Sequence, residues 1–211
     1  MRPALPILLA ILPSLVNGQW SVGGLGHFSL NERGQQAEYG GGARITFAPS
    51  LRSFFFGDVM MNVPRVERWD RSYGARGALS AGIAPFTRRQ GEHIHFQESL
   101  RVGCSWRIGR IHRKIGSAHF YWGMAAALIH RSLRYESEVT NLVNGTKTTI
   151  NGTTDHFDLR LSPVFGFRSR EGRGRFFAEA LPSLQRPLDE RSTVWDIRYE
   201  VVAGYLWNLN P

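Results

Sequence analysis

The segment Leu128–Glu136, LIHRSLRYE, places three chemically capable side chains on one strand face. His130 and Ser132 stand at i and i+2 and point the same way from an extended strand, and Glu136 shares their face. A serine nucleophile needs a histidine to take its proton and an acid to orient that histidine, so the residue types fit acyl transfer. Spacing opposes it. Glu136 lies four residues beyond Ser132, about 13 Å along a strand, and the sequence matches no other acid to the pair. The plainer expectation is a polar strand end emerging from an apolar setting.

A second group of side chains carries charge. In the closing stretch TVWDIRYEVVAGYLWNLNP, Asp196, Arg198 and Glu200 fall at i, i+2 and i+4. Trp195, Ile197, Tyr199, Val201, Ala203, Tyr205 and Trp207 occupy the opposite face. Arg44, Arg76, Arg101, Asp158, Arg160 and Glu179 recur in the same way on the polar faces of other alternating segments. Such charges could form an ion- or proton-conducting path or a salt-bridged plug. The interior of an eight-stranded barrel is just wide enough for side chains to fill, and an arginine fork can satisfy two carboxylates at once. The expectation is a filled lumen without an open pore.

The elements that would position these groups alternate with period two. They are Trp20–Leu30, Glu38–Ala48, Leu51–Asn62, Ser72–Phe86, His93–Ile108, Ala118–Glu136, Thr154–Arg168, Arg175–Gln185 and the final stretch. The linking stretches NERGQQ, VPRVERWDR, RRQGE, GRIHRKIG and SREGRG read as connections. Charge on one face and long apolar runs on the other suit a closed antiparallel up-and-down transmembrane barrel. A sandwich core could not bury the unpaired charges. Single-chain barrels have even strand numbers, so nine segments imply eight strands, with ten the alternative. Trp195, Tyr199, Tyr205 and Trp207 would form an aromatic girdle at the two membrane interfaces.

The first residues, MRPALPILLAILPSLVNG, have one basic residue and an apolar run, and read as a signal peptide over 1–18, with the barrel domain over 19–211. The single cysteine, Cys104, allows no internal disulfide. The seven histidines show no metal-ligand spacing in sequence, so neither a metal nor a cofactor is expected. The net charge of +9 on an exported chain points to anionic lipid rather than nucleic acid.

Two arginine clusters, Arg107/Arg110/Arg113/Lys114 and Arg168/Arg170/Arg173/Arg175, would be solvated turns on the periplasmic side or contacts to lipid phosphates. The stretch from 137 to 153, with Asn-Gly-Thr at Asn144–Thr146 and Asn151–Thr153, would be an outer loop with tight Asn-Gly turns, able to meet a surface ligand.

The leader ending before Gln19, the strand–turn–strand GFRSREGRGRFFAEALPSL and the terminal GYLWNLNP resemble the small outer-membrane β-barrel proteins of Gram-negative bacteria, especially the Bacteroidota type. The resemblance covers the whole mature chain and implies a monomeric barrel among outer-membrane lipids and lipopolysaccharide. It also implies insertion by the barrel-assembly machinery. The chain departs from the family's aromatic last residue, since Leu209, Asn210 and Pro211 follow Trp207. His130-x-Ser132 is similar to the outer-membrane lipid A deacylases, which would make the chain a lipid A-modifying hydrolase. The asparagine those enzymes carry after the serine is Leu133 here. A structural or surface-binding barrel, that hydrolase and a soluble exported β-barrel carrier are the three readings carried forward.

Overall fold

The computed structural model describes residues 18–32, 37–50, 52–73, 87–113, 116–170, 174–188 and 195–209. Residues 1–17 of the expected signal peptide lie outside these, as do Arg76 and most of the expected strand Ser72–Phe86. The described residues form strands β1 (Gln19–Asn31), β2 (Ala37–Ala48), β3 (Ser53–Asn62), β4 (Arg65–Tyr73) and β5 (Thr87–Arg113). They continue as β6 (Gly116–Asn141), β7 (Lys147–Arg170), β8 (Gly174–Pro187) and β9 (Asp196–Asn208).

Hydrogen bonding runs β3-β2-β1-β9-β8-β7-β6-β5-β4, and a further pairing of β3 with β5 closes the ring. The ring pairings therefore make a closed antiparallel up-and-down barrel of eight strands, with β3 and β4 following one another along β5 as one interrupted strand. The β3–β5 ladder runs from Ser53↔Trp106 to Met61↔Glu98. The β4–β5 ladder starts at Arg65↔His95, so Asn62, Val63 and Pro64 stand against only Phe96 and Gln97. One extra residue on that side is a bulge, and Pro64, with no N–H to donate, sits in it.

This corrects the segment assignment in four places, one of them the expected connection GRIHRKIG, whose residues 109–113 lie in β5. VPRVERWDR is not a connection, because its residues from Arg65 onward form β4. RRQGE lies inside β5. The expected loop 137–153 is mostly strand: β6 runs to Asn141 and β7 begins at Lys147, leaving a turn over 142–146. In that turn Asn144 accepts a bond from the Thr146 amide at 3.0 Å, and Gly145 takes φ 70°, which only glycine adopts freely. Asn151 and Gly152 lie within β7 and make no turn.

The chain divides into two compact units. The first holds the described residues up to Asn62, Glu98–Ile129 and those from Phe157 onward, and includes the β3–β5 ladder that closes the ring. The second holds Val63–Gln97 and His130–His156. Strands β5, β6 and β7, at 27, 26 and 24 residues, contribute to both.

In the first unit, alternation sorts the side chains as the pleat requires. Along β1, Ser21, Leu25, His27 and Ser29 are buried, while Val22 and Phe28 are exposed. The exposed face continues with Ile45, Val59, Leu100, Val102, Met124, Leu128, Phe165 and Val201. The buried face mixes an apolar cluster, including Phe54, Phe56, Val164, Phe177 and Leu206, with charged residues. Glu98 is the first β5 residue of this unit, and from it onward the face carries Leu100, Val102, Trp106 and Ile108.

Gly42 marks a close strand approach, and Gly24 provides the contrast. A Cβ on Gly42 would stand 2.1 Å from the carbonyl oxygen of Val59, and neither backbone can yield without breaking the β2–β3 ladder. A Cβ on Gly24 would meet nothing nearer than the Gly42 oxygen at 4.0 Å. Gly42→Ala should therefore lower the urea midpoint of the refolded barrel clearly. Gly24→Ala should leave it unchanged or raise stability by about 0.5 kcal/mol, through reduced freedom of the unfolded chain. Equal losses in both would mean that strand approach is not the constraint.

Candidate functional site

The interior of the first unit is organised around Arg44. Its Nε and Nη2 donate to the two oxygens of Asp58 at 2.7 and 2.9 Å. Its Nη1 and Nη2 donate to the two oxygens of Glu179 at 2.6 and 2.7 Å. The guanidinium faces are covered by the Phe56 ring at 4.5 Å and the Phe177 ring at 4.3 Å. Edge and faces are both occupied, which is how a planar cation is held away from water.

The positions follow from register. Arg44 lies directly opposite Asp58, and Asp58 opposite Arg101, so β2, β3 and β5 carry a cross-strand row of alternating sign. Arg101 donates to Asp58 at 2.7 Å and to Glu200 at 3.1 Å. Glu200 takes a second bond from Arg160 at 2.9 Å. Arg160 also donates to its cross-strand partner Gln185, whose amide in turn donates to Asp158. Tyr121 donates to Glu179 at 2.8 Å. One continuous network thus links β2, β3, β5, β6, β7, β8 and β9.

Of the residues singled out in the sequence, Arg44, Arg101, Asp158, Arg160, Glu179 and Glu200 come together in this network. Arg198 is buried but pairs separately, with Glu38 at 2.9 Å. Asp196 shares their parity, yet as the first residue of β9 it is exposed and stands apart from the network. Asp58, Tyr121 and Gln185 were missed. Asp58 sits among Phe54, Phe56 and Met60 on one face of SFFFGDVMMN and reads as part of an apolar strand. The outer-face residues Trp195, Tyr199 and Trp207 are exposed, and Tyr205 packs edge-on against Phe176 and Trp207 at 4.8 and 4.9 Å.

His130 lies on the β6 face that carries Trp122, Met124 and Leu128, and Ser132 follows it there. The expectation that no acid matches the pair is corrected: Asp155 of β7 places its Oδ1 3.4 Å from His130 Nε2. Glu136 is exposed and lines a groove with Arg68, Asp70, Gln90, Glu92 and Arg134 in the second unit. Nearby, hydrogen bonds from Arg88 hold the Asp70 carboxyl below its usual range, and a bond from Lys147 does the same for Glu138.

Sequence spacing also concealed one group able to hold a metal ion. Glu67 lies directly across from His93, and His95 follows at i+2, bringing their ligand atoms within 4.8 Å of one another. Arg65 pairs with Glu67 Oε1, leaving Oε2 3.8 Å from His95 Nε2.

The arginine clusters are not simply solvated turns. Arg168 is buried, with its guanidinium 4.0 Å from the Phe54 ring centroid, because β7 continues through it. Arg175 donates to the Gln19 side chain. The side chains of Arg110, Arg113 and Arg170, and residues Lys114 and Arg173, lie outside the described residues.

No protein-family model matches the sequence, and no curated protein is significantly similar to it. Among solved structures the chain is similar to Ail, the attachment invasion locus protein of Yersinia pestis, at 10% identity and TM-score 0.38, covering 91% of this chain and 97% of that one. It is also similar to the N-terminal β-barrel domain of Pseudomonas aeruginosa OprF, at 14% identity and TM-score 0.39, covering 91% and 99%. Neisserial surface protein A gives 11% identity and TM-score 0.32, covering 90% and 96%.

Glu200→Gln removes the carboxylate shared by Arg101 and Arg160, and should cost about 3–5 kcal/mol in urea unfolding of the refolded barrel. Asp196→Asn, at the exposed strand start, should stay within about 0.5 kcal/mol. If the two variants unfold alike, the network does not hold the barrel. Ser132→Ala should leave the acyl pattern of lipid A unchanged by mass spectrometry. A changed pattern would make His130, Ser132 and Asp155 a working site.

Proposed function

We propose that this chain is an integral outer-membrane β-barrel protein with a side-chain-filled, non-conducting interior. Its role is non-enzymatic and structural, or surface-binding through the β6–β7 hairpin. One observation carries the reading: in the first unit large apolar side chains point outward from every ring strand, while arginines and carboxylates point inward and pair. Water would disfavour that arrangement. Covering one large apolar side chain is worth about 1.5–3 kcal/mol, and the outward face carries many. Lipid supplies the cover, and closure of the ring leaves no backbone edge unsatisfied within it.

Dimensions agree. Trp195 and Trp207 are separated by about 30 Å along the axis of a barrel with ordinary strand tilt, close to the height of a lipid-facing band with its interfacial girdles. In the second unit the strands carry charge on both faces, with Arg68, Asp70 and Glu92 on one and Glu67, Arg71 and Arg89 on the other, which does not suit lipid contact. The proposal includes export by the N-terminal segment, insertion by the barrel-assembly machinery, a monomeric state and contact with lipopolysaccharide. Affiliation with the Bacteroidota-type barrels rests on the sequence pattern alone. A soluble carrier would need the opposite distribution of apolar and charged side chains.

The native protein should remain in the membrane pellet after carbonate washing and migrate faster on gels unheated than boiled. Release by carbonate would overturn the membrane reading. In planar bilayers the purified protein should give no steady conductance, because the network fills the lumen; a large, stable channel would overturn the plug.

A further inference from the structure

At the end of the first unit where β1 starts and β9 finishes, the chemistry of the interior changes. Elsewhere in that interior Arg44, Arg101, Arg160 and Arg198 each reach a carboxylate. Here a cavity of about 290 Å³ is lined by Arg52, Arg107, Arg168 and Arg175 with His119 and Ser169, and no carboxylate is among its described lining. At about 30 Å³ per water, that space admits a small ion with several waters.

Arg168 is the residue that demands a ligand. It is 6% exposed, and its Nε and Nη2 have no hydrogen-bond partner. The Phe54 ring at 4.0 Å covers its face but leaves the N–H edge unmet. Glu179 is already committed to Arg44 and Tyr121. A buried cation with idle donors carries a large cost that a bound anion removes. A guanidinium edge fits two oxygens of a tetrahedral anion at once, and further arginines around the same space supply the remaining charge.

We propose that this cavity is a binding site for a phosphate-type oxyanion, held by the edge of Arg168 with Arg52, Arg107 and Arg175 around it. The occupant is either a free oxyanion or the phosphate of a lipid head group, since both present the same oxygens. The site goes beyond the membrane reading and does not depend on it, because the cavity is formed within the barrel unit.

The test is calorimetric titration of inorganic phosphate into the refolded full chain in a zwitterionic detergent and chloride buffer. One saturable site per chain is expected, weakened tenfold or more by Arg168→Gln and also by Arg175→Gln. Heat-modifiable gel migration reports whether each variant folds. If Arg168→Gln does not, Arg175→Gln and Arg107→Gln decide. Absence of saturable binding, or unchanged affinity in the folded variants, overturns the proposal. The source is then separated by repeating the titration in phosphatidylcholine vesicles with and without phosphatidylglycerol. Loss of phosphate binding in the presence of phosphatidylglycerol identifies the head group as occupant, and undiminished binding identifies the free oxyanion.

Discussion

A guanidinium sealed inside a protein must have its charge met, and Arg44 is met twice. Its bidentate ties to Asp58 and Glu179 connect β2 to its neighbour β3 and, across the interior, to β8. Most of the barrel's internal order follows from this tie. Asp58 is shared with Arg101, Arg101 with Glu200, and Glu200 with Arg160, so each charge is held by a partner already fixed by another. A buried pair of this kind contributes little net stability against an apolar substitute, but loss of one partner is expensive. The network therefore fixes how the strands face one another more than it adds stability.

That constraint works because the inside is closed and the outside is apolar. In a soluble fold, apolar side chains would fill the centre and charges would sit in water. Here β5 places Leu100 and Val102 outward and Arg101 inward within three consecutive residues. The interior is not wholly polar. Phe56 and Phe177 stack on Arg44, and Val164, Leu181 and Val202 are fully buried. Aromatic faces and aliphatic groups occupy the space that hydrogen bonds leave, so filling and neutralisation are accomplished by the same residues.

Period-two alternation made the barrel legible in the sequence, because each outward apolar face is written every second residue. It also gave the parity of Arg44, Arg101, Arg160, Glu179 and Glu200, and parity sufficed to put them inside. Two things were not legible. Asp58, Tyr121 and Gln185 depend on which strands become neighbours, and alternation does not encode register. The extent of the strands was also hidden. Arg65–Tyr73 and the arms around Leu142–Thr146 carry the arginine, asparagine and glycine that mark connections in water, yet they form strands well past the apolar run. The same blindness to register concealed Asp155 beside His130 and Glu67 beside His93, since cross-strand partners are distant in sequence.

The two ends of the charge pattern then follow one rule. Within the network carboxylates are available at the right register, and every arginine row is closed. Near Arg168 the surrounding strand ends bring Arg52, Arg107 and Arg175, and no carboxylate is among the described residues that line the cavity. Arginine in place of a shorter or neutral side chain at Arg168 has a cost there, because its edge donors are buried and idle. In the centre that cost is removed by the fold's own carboxylates. At the strand ends no described carboxylate lines the cavity, and an anion that arrives from outside removes the cost, so the same guanidinium chemistry that seals the middle of the barrel leaves its end open to a ligand.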